Sequence, residues 1–304
     1  MVSDEVVVSI CCITYNHAPY IRQCLEGFMM QQTDFPIEVL IHDDASTDGT
    51  TEIIKEYEAK YPDIIKPIYE EENQWVKGRR GSVQFNFPRA KGKYIAMCEG
   101  DDYWVDPLKL QKQVDFLDNN TECVLCSHFF YQLQQGEQEY INILPSIEYR
   151  NFKFDINFYV SCNWVTQPVT IVFRKDALDL QLIQKYRNSK DNTLFYVLLK
   201  NGYGYVMDDI MAVYRLHDAG VWASATSTMR SIANITTIKS IYDIDQNEIA
   251  ARYLYNSVYC QGYLGVSFFC SHFKLYFQVI SVICKYFGLK RTIKLMKRSI
   301  MFSK

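Results

Sequence analysis

Three acidic side chains crowd the stretch CEGDDYWVDP at residues 98–107: Glu99, Asp101 and Asp102. They follow the short apolar run YIAM, which is typical of a buried strand. Like charges this close repel each other, so a strand end is a costly place to gather them. Mg²⁺ and Mn²⁺ prefer oxygen ligands and usually take one or two protein carboxylates together with substrate phosphates. Asp101 and Asp102 are therefore predicted to hold a divalent cation against a diphosphate.

The acidic stretch also has a purely structural interpretation, a solvated turn ahead of a helix whose dipole favours acids. Two further polar stretches favour the functional interpretation. The first is TYNH with Thr14, Tyr15 and Asn16, after the apolar run VVVSICCI, and the second is HDDAS with Asp43 and Asp44, after IEVLIH. Either Asp43 or Asp44 is expected to face a nucleotide base or ribose, while the later residues of its loop shape a turn.

The elements that must position these stretches alternate along the first half of the chain. The predicted strands are VVVSICCI, IEVLIH, IIKPIYE and KYIAM, and a helical pattern follows the first, the second and the last of them. Strand–helix–strand units at this spacing indicate a parallel sheet with right-handed crossovers. Ligands of such sheets bind at the carboxyl ends of the strands. TYNH, HDDAS and CEGDDYW all follow strands, so we expect them to meet at one edge.

The second half of the sequence is less regular. VTIVFRK and YVMDDIMAVYRLH are predicted strands, NTLFYVLLKNG is a predicted helix, and from about residue 228 the pattern is helical. His217 ends the last of these strands. A lone histidine at a strand end is more often a structural donor than a ligand, so both roles stay open for it.

Composition and charge describe a globular protein with an uneven charge distribution. The 304 residues are 48% hydrophobic and 22% charged, which excludes a disordered chain. Nine of the 32 basic residues follow Glu248, the last acidic residue, so the tail carries +9 and the body −12. No secretory signal opens the sequence and the cysteines lie in apolar runs, so we expect reduced thiols and a cytoplasmic location. We expect no nucleic-acid partner.

Four stretches in this order, VSICCITYNHAPYIRQCLEGFMMQQ, IEVLIHDDASTDGTTEII, GKYIAMCEGDDYWVDPLKLQKQVDFL and YRLHDAGVWAS, resemble the family 2 glycosyltransferases of bacteria. The resemblance is dense over residues 5–130 and thinner to about 225. It implies the GT-A fold and transfer of a sugar, with inversion, from a nucleotide diphosphate donor. A UDP-sugar is the expected donor, a glycan or lipid-linked hydroxyl the expected acceptor, and a bacterial surface polysaccharide the expected product.

The resemblance also implies roles for individual residues. Thr14, Tyr15 and Asn16 would line the nucleotide pocket, and Asp44 would contact the base or ribose. Asp101 would touch donor and metal, with Asp102 as the expected direct ligand of Mn²⁺ or Mg²⁺ and His217 as an additional metal ligand. Glu99 stands where many members of the family have Asp, so its role is open.

The general base of the family is an Asp or Glu near a later helix start, which here implies Asp191 in NSKDNTLFYVLL. A base of this kind must reach the acceptor hydroxyl. The alternative for Asp191 is an ordinary helix N-cap. Trp222 has two open roles, covering the sugar or packing, and the basic loop with Lys77, Arg79 and Arg80 either approaches phosphate or is simply solvated.

The expected organisation is a GT-A domain over residues 1–225, with a nucleotide-sugar half to about 130 and an acceptor half from 131, and a helical basic extension over 226–304. Charged residues interrupt every long apolar run of the tail, so a spanning helix is not expected. Basic amphipathic helices bind anionic membrane surfaces, which predicts a peripheral position at the inner face of the cell membrane. The alternative is that these helices pack on protein.

Two other functions are alternatives to glycosyl transfer. A sugar nucleotidyltransferase carries a Gly-rich phosphate loop near its start, and ITYNHAPY contains no glycine. A catalytically silent module that binds sugar nucleotides or glycans would share the motifs and differ only in lacking turnover.

Overall fold

The computed structural model describes residues 5–79, 81–134, 140–144, 147–161, 164–186, 188–218, 225–261 and 272–301. The chain divides into two compact units. The first unit comprises Met1–Asp155, Val165–Gln184 and Val197–His217, and the second comprises Ile156–Trp164, Lys185–Tyr196 and Asp218–Lys304. The last limit, after His217, lies a few residues before the predicted domain boundary at residue 225.

The structure describes ten strands, six of which coincide with strands predicted from the sequence. They are β1 (Val8–Thr14), β2 (Ile37–Asp43), β3 (Ile65–Tyr69), β4 (Tyr94–Met97), β5 (Tyr103–Trp104), β6 (Cys123–Gln134), β7 (Tyr140–Leu144), β8 (Phe152–Phe154), β9 (Val172–Arg174) and β10 (Tyr203–Leu216).

Helices connect the strands and form the end of the chain. They are α1 (Ile21–Met29), α2 (Thr50–Lys60), α3 (Phe87–Arg89), α4 (Lys109–Asn119), α5 (Ile156–Tyr159), α6 (Leu180–Lys185), α7 (Asp191–Leu199), α8 (Ser227–Asp245), α9 (Glu248–Gln261) and α10 (Phe273–Met301). A π-helical turn over Ser82–Asn86 precedes α3.

The sheet of the first unit has the order β3-β2-β1-β4-β9-β6-β10-β5 among the described strands, with β7 beside β6 and β8 beside β10. Strands β3, β2, β1 and β4 are parallel neighbours. Strand β9 is antiparallel to β4 and β6, and β6 and β10 are parallel to each other. Six of the eight strands on this path therefore run in one direction, and the predicted mainly parallel α/β sheet is confirmed.

The core of the first unit forms where the apolar face of α1 meets the sheet. Ile21, Leu25 and Phe28 on α1 are fully buried, as is Ile10 on β1. Their i, i+4, i+7 spacing places the three helical residues on one face. Phe28 also contacts Trp104, with ring centroids 4.8 Å apart, so this core supports the residues that directly follow the acidic stretch.

The second unit is mostly helical. The hydroxyls of Tyr186 and Tyr196 donate to the two carboxylate oxygens of Asp245, at 2.8 and 2.9 Å, and the Tyr196 ring stacks on Tyr253. Helix α10 contains a break at Gly288, which has a φ of 78°. In the described part of the chain, no helix combines the length and the hydropathy that crossing a membrane requires.

Candidate active site

The loops after β1, β2 and β4 meet at one edge of the sheet, as the alternation of strands predicts. Thr14 at the end of β1 pairs in register with Asp43 at the end of β2. The N–H of Asp44 donates to the Thr14 carbonyl at 3.0 Å, and the N–H of Gly100 donates to the Ile13 carbonyl at 2.9 Å. The three polar stretches therefore share a common backbone frame.

Asn16 joins the loop after β1 to the loop after β2. Its N–H donates to the Ser46 hydroxyl at 2.9 Å, and its side-chain Oδ1 accepts the N–H of Thr47 at 2.8 Å. Asn16 adopts a left-handed backbone with a φ of 55°, a conformation that asparagine tolerates better than most residues. The adjacent Tyr15 is 45% exposed and available to a ligand.

Gly100 lets the acidic turn close over the end of β1. A Cβ at this position would lie 2.6 Å from the Oγ1 of Thr14, closer than any real Cβ contact. The turn itself is closed by the N–H of Asp102, which donates to the Glu99 carbonyl at 3.1 Å. The glycine between two acids is therefore a steric requirement, and Thr14 is the buried wall against which the turn packs.

Asp101 lies between two histidines. Its Oδ2 is 2.9 Å from the Nε2 of His217 and 3.7 Å from the Nε2 of His17. One ligand atom from each of the three residues lies within 4.8 Å of the others. All three residues belong to the first unit, and we call them the His17–Asp101–His217 cluster.

The cluster is largely enclosed, and its electrostatics follow from that. Burial raises the pKa of Asp101, but the hydrogen bond from His217 and the nearby His17 outweigh it and hold that pKa below the usual value. Burial lowers the pKa of His17 against the opposing pull of Asp101. The arrangement favours a carboxylate beside a neutral imidazole, which is the protonation state in which both groups bind metals.

Three buried polar atoms of the cluster have no hydrogen-bond partner within the described residues: Oδ1 of Asp101 and the Nδ1 atoms of His17 and His217. Buried polar atoms are normally satisfied, so unpaired ones call for an explanation such as an ion or water. A carboxylate and two imidazoles are also common ligands of divalent metals. The residues present thus fit a bound cation.

Asp102 has different partners from those expected of a direct metal ligand. Its side chain is buried, and its Oδ1 accepts the N–H of Arg215 at 2.8 Å. Burial, together with the negative charges of Asp101 and Glu99, raises its pKa well above the usual value. Among the described residues the metal-competent group contains Asp101 and not Asp102. Asp102 instead fastens the end of β10 to the acidic turn.

Arg215 completes this connection from β10. Its guanidinium donates to the carbonyl oxygen of Asp101 at 2.5 Å and to the side chain of Gln23, and it lies 4.2 Å from the centre of the Tyr103 ring. The positive charge of Arg215 thus offsets part of the negative charge of the acidic turn. Sequence reasoning missed Arg215, although its position two residues before His217 on the same strand gave a signal.

Asp43 shapes the start of α2. Its Oδ1 accepts the N–H of Ser46 at 3.2 Å, and its Oδ2 accepts the hydroxyl of Thr51 at 2.5 Å. The side chain is 1% exposed. Asp43 and Asp44 had two alternative roles, contacting a nucleotide or shaping a turn. The hydrogen bonds of Asp43 agree with the turn-shaping role.

Asp44 holds the loop that follows β3. Its Oδ1 accepts the N–H of Gln74 at 2.6 Å, and its Oδ2 accepts the N–H of Trp75 at 3.1 Å. Trp75 and Val76 are exposed at the tip of this loop, by 46% and 83%. Each carboxylate oxygen has a second lone pair, so these bonds are compatible with a further contact to a ligand.

The basic residues of the same loop have protein partners. Lys77 pairs with Glu72, and the guanidinium of Arg79 donates to the side-chain oxygen of Gln74 at 3.2 Å. These contacts join residues of the same loop, which agrees with the interpretation of a solvated loop. Arg80 and Trp222 lie outside the described residues.

Asp191 is the first residue of α7 and belongs to the second unit. Its Oδ1 accepts the N–H of its neighbour Asn192 at 2.9 Å, whereas an N-cap would accept an N–H two or three residues further on. Burial raises the pKa of Asp191 above the usual value. A carboxylate with a raised pKa is better matched to proton transfer near neutral pH than an exposed one.

His17 is the functional candidate that sequence reasoning missed. It follows Thr14, Tyr15 and Asn16 in the same loop, so its neighbourhood was identified while the residue itself was not. The missing information was spatial: His17 and His217 are 200 positions apart, yet their ring centroids lie 6.1 Å from each other.

Comparisons with known proteins all indicate the same family. A family model described as "Glycosyl transferase family 2" matches residues 9–179. An uncharacterized protein of Mycobacterium tuberculosis is 36% identical over 232 residues, or 73% of this chain and 62% of its own length. This chain therefore spans under two thirds of that relative. "Putative teichuronic acid biosynthesis glycosyltransferase TuaG" of Bacillus subtilis is 27% identical over 75% of this chain and 88% of its own.

A third relative is the Escherichia coli protein named UDP-Glc:alpha-D-GlcNAc-diphosphoundecaprenol beta-1,3-glucosyltransferase WfaP, which is 35% identical over 42% of this chain and 47% of its own. Among solved structures, S. aureus TarS 1-349 in complex with UDP superimposes with a TM-score of 0.67 at 16% identity, over 97% of this chain and 89% of that one. The mannosyltransferase PcManGT of Pyrobaculum calidifontis, in complex with GDP-Man and Mn²⁺, gives 0.59 at 16% identity, over 99% and 81%. At these identities the structures establish a GT-A-like fold.

Proposed function

The chain belongs to glycosyl transferase family 2, and we propose that it transfers a sugar, with inversion, from a nucleotide diphosphate sugar to a hydroxyl of a glycan or lipid-linked acceptor. The observation that carries the proposal is the His17–Asp101–His217 cluster at the carboxyl edge of the parallel strands. Ligands of open α/β sheets bind at this edge. The metal-competent group therefore lies where a donor diphosphate would be expected.

A UDP-sugar is the proposed donor. UDP is bound by the TarS structure, and UDP-Glc is named as the donor of WfaP. The proposed nucleotide pocket is lined by Thr14, Tyr15 and Asn16, with Tyr15 as its exposed aromatic surface. Asp43 and Asp44 hold the adjoining loops, and Asp44 is the proposed contact to base or ribose.

The proposed cofactor is a divalent cation, Mn²⁺ or Mg²⁺, held by Asp101 and His217. When bound, such a cation stabilises the negative charge that grows on a departing diphosphate. Asp102 and Arg215 keep the acidic turn and the end of β10 together, so that Asp101 and His217 remain side by side. Their role in the proposal is to position the two ligands.

Asp191 is the proposed general base. The acceptor oxygen forms a bond to the anomeric carbon as the bond from that carbon to the diphosphate oxygen breaks. The acceptor proton passes to the carboxylate of Asp191, and the nucleoside diphosphate leaves with the electron pair. A positioned base contributes on the order of 10²–10⁴ in rate.

The proposed setting is the assembly of a bacterial surface polysaccharide at the inner face of the cell membrane. WfaP is named for a diphosphoundecaprenol acceptor, and TuaG for teichuronic acid biosynthesis. After the break at Gly288, α10 exposes Leu289 and Ile293 beside Lys290, Arg291 and Lys294. Apolar and basic side chains on one exposed helix are suited to an anionic membrane interface.

The test is turnover with defined donors. The purified chain is incubated with UDP-glucose, UDP-N-acetylglucosamine, UDP-galactose or GDP-mannose and Mn²⁺, with an undecaprenyl-diphosphate sugar as acceptor. Release of the nucleoside diphosphate and the anomeric configuration of the product are measured. We expect one donor to be consumed with inversion, and about 10²–10⁴-fold less turnover in Asp191→Asn.

Other outcomes would support the competing functions. Binding of a sugar nucleotide with neither transfer nor hydrolysis would support a silent binding module. Formation of a sugar nucleotide from a sugar phosphate and a nucleoside triphosphate would support a nucleotidyltransferase. Transfer with retention of configuration would contradict the proposed single displacement.

A further inference from the structure

We propose that His17 is a third protein ligand of the cation, and that the resulting set of two imidazoles and one carboxylate selects a transition-metal dication over Mg²⁺. This inference rests on the proposed function for the cation's role at the donor diphosphate. It adds a ligand from the loop after β1 and narrows the choice of metal.

Three neighbouring backbone bonds fix the loop that carries His17. The N–H of His17 donates to the hydroxyl of Thr50 at 2.8 Å, and the next N–H, of Ala18, donates to Asp48 at 3.0 Å. The preceding residue, Asn16, is bonded to Ser46. The ring of His17 therefore leaves a braced backbone, and ligand residues need such support to hold their geometry.

A hydrogen bond to Asp101 does not account for the position of His17. The 3.7 Å from its Nε2 to Oδ2 of Asp101 is longer than a hydrogen bond between these atoms. That same oxygen already accepts His217 at 2.9 Å. The Nδ1 of His17 is buried and makes no hydrogen bond within the described residues. The Nε2 of His17 thus faces the carboxylate beyond hydrogen-bond distance, and the buried Nδ1 has no partner among the described residues.

The separations match those of ligands around one ion. Donor atoms about 2.1 Å from a shared cation lie about 3.0 Å apart when at right angles and about 4.2 Å apart when opposite. The observed spacings are 2.9 Å and 3.7 Å to Asp101, with every ligand atom within 4.8 Å of the others. Shifts of a few tenths of an ångström suffice to place all three on one ion.

The donor set decides which ions are favoured. Imidazole nitrogens suit first-row transition metals, whereas Mg²⁺ is bound by oxygen ligands and keeps several waters. A set with Asp101 as its sole carboxylate also leaves a dication with one net positive charge. The site would therefore favour Mn²⁺, Co²⁺ or Fe²⁺ because of its imidazoles, and the remaining positive charge of a bound dication would attract a diphosphate.

The experiment counts nitrogen ligands without any nucleotide present. Mn²⁺ is added to the metal-free chain, and electron spin echo envelope modulation is recorded for wild type, His17→Gln and His217→Gln. We expect the modulation of two imidazole nitrogens in wild type and of one in each variant. His42→Gln is the matched control, because His42 is buried against Phe85, outside the cluster. Its spectrum should still show the modulation of two imidazole nitrogens.

Metal preference is the second readout. Competition of Mg²⁺ against bound Mn²⁺ should show a preference for Mn²⁺ in wild type that falls by at least about tenfold in His17→Gln, a change of about 1.4 kcal/mol. A single imidazole in the wild-type spectrum, no Mn²⁺ binding, or an unchanged preference in His17→Gln would overturn the inference. Because the wild-type spectrum counts the ligands by itself, a poorly folded variant does not remove the test.

The two proposals fail in different ways. Two bound imidazoles without any sugar transfer would keep His17 as a ligand and reject the proposed function. Transfer with one bound imidazole would keep the proposed function and reject His17 as a ligand.

Discussion

At the scale of single residues, the site depends on a glycine. Gly100 stands between Glu99 and Asp101, and the space for its missing Cβ is filled by Thr14. Because Asp101 follows directly, any shift of the turn moves the carboxylate away from the two histidines. Gly100 is therefore needed for the turn that places the Asp101 carboxylate beside the two histidines.

We predict that Gly100→Ala destabilises the chain by about 1–3 kcal/mol, the usual cost of overpacking, and weakens Mn²⁺ binding. Urea unfolding and Mn²⁺ titration measure the two effects. Gly78→Ala is the control: it has open space around it and a positive φ, so only a backbone cost of about 1 kcal/mol is expected. Equal Mn²⁺ affinity in Gly100→Ala and wild type would contradict the steric argument.

A second residue-scale prediction concerns Lys109, which is fully buried below Trp104. Its Nζ lies 4.2 Å from the centre of the Trp104 ring and donates to Gln113 at 2.7 Å. Burial lowers the pKa of Lys109 to about 7, against about 10.4 in an unfolded chain. Between these two pKa values the unfolded chain binds one more proton than the folded chain. The free energy of unfolding therefore rises with pH, by up to about 1.4 kcal/mol per pH unit.

Lys109→Met removes this dependence. From pH 7.5 to pH 9, the free energy of unfolding of wild type should increase by about 2 kcal/mol more than that of the variant. Urea melts at both pH values measure this difference. The comparison cancels the other groups that titrate in this range. A difference between the two proteins that does not change with pH would show that Lys109 stays charged when folded.

Prediction of site residues from sequence depended on whether their signal was local. Asp101 and His217 were identified by motif, and the structure places them side by side. His17 and Arg215 contact partners more than 80 positions away in the sequence, and no local sequence pattern predicts such contacts. The family resemblance implies Asp102 as the direct ligand, whereas the described cluster contains its neighbour Asp101. Only the fold shows which one faces the histidines.

At the scale of elements, the loops after strands form the site, and their carboxylates fasten them to each other. Asp44 exemplifies this, since it accepts two backbone N–H groups of the loop after β3. Losing the acceptor of a buried N–H costs about 1–3 kcal/mol. Asp44, a residue of the neighbouring loop, therefore helps to hold the loop that carries Trp75.

We predict that Asp44→Ala frees this loop and that trypsin cleaves after Lys77 or Arg79 several-fold faster than in wild type. Both residues are exposed, so cleavage is limited by loop opening. Fragments are identified by mass spectrometry over time. Asp63→Ala, at an exposed acid on another loop, should leave the cleavage rate unchanged. The same rate in Asp44→Ala would mean that other contacts hold the loop.

The first-half strands were predictable because a buried parallel strand is a short apolar run, as in β1, β2 and β4. The order of the sheet was less accessible. Strand β9 lies between β4 and β6 although it follows β6 in the chain, and β5 has two residues. Their pairing depends on contacts distant in sequence, which periodicity does not report.

At the scale of the whole molecule, charge is separated along the chain. The tail after Glu248 carries nine basic residues and no acidic one, whereas the rest is acidic. On α10 three of these cations lie beside the exposed Leu289 and Ile293. Each cation near an anionic surface contributes about 1 kcal/mol, and the two apolar side chains add to this when buried.

We predict binding to phosphatidylglycerol vesicles and little binding to phosphatidylcholine vesicles, measured by co-sedimentation. Leu289→Ser combined with Ile293→Ser should weaken binding by at least about tenfold, or about 1.4 kcal/mol. Met229→Ser is the matched control, because Met229 is 60% exposed on α8 of the same unit. Equal binding to both lipids would contradict an electrostatic interface.

A thermal-melt panel of nucleoside diphosphates with Mn²⁺ or EDTA tests whether nucleotide binding by this chain depends on the metal. It compares wild type with Asp101→Asn and Asp102→Asn. A ligand at 100 times its dissociation constant adds about 2.7 kcal/mol, which is a readable shift. We predict stabilisation by UDP with Mn²⁺ and not with EDTA, lost in Asp101→Asn and kept in Asp102→Asn. Stabilisation that ignores both the metal and Asp101, or no response to any nucleotide, would contradict a metal-dependent nucleotide-sugar site.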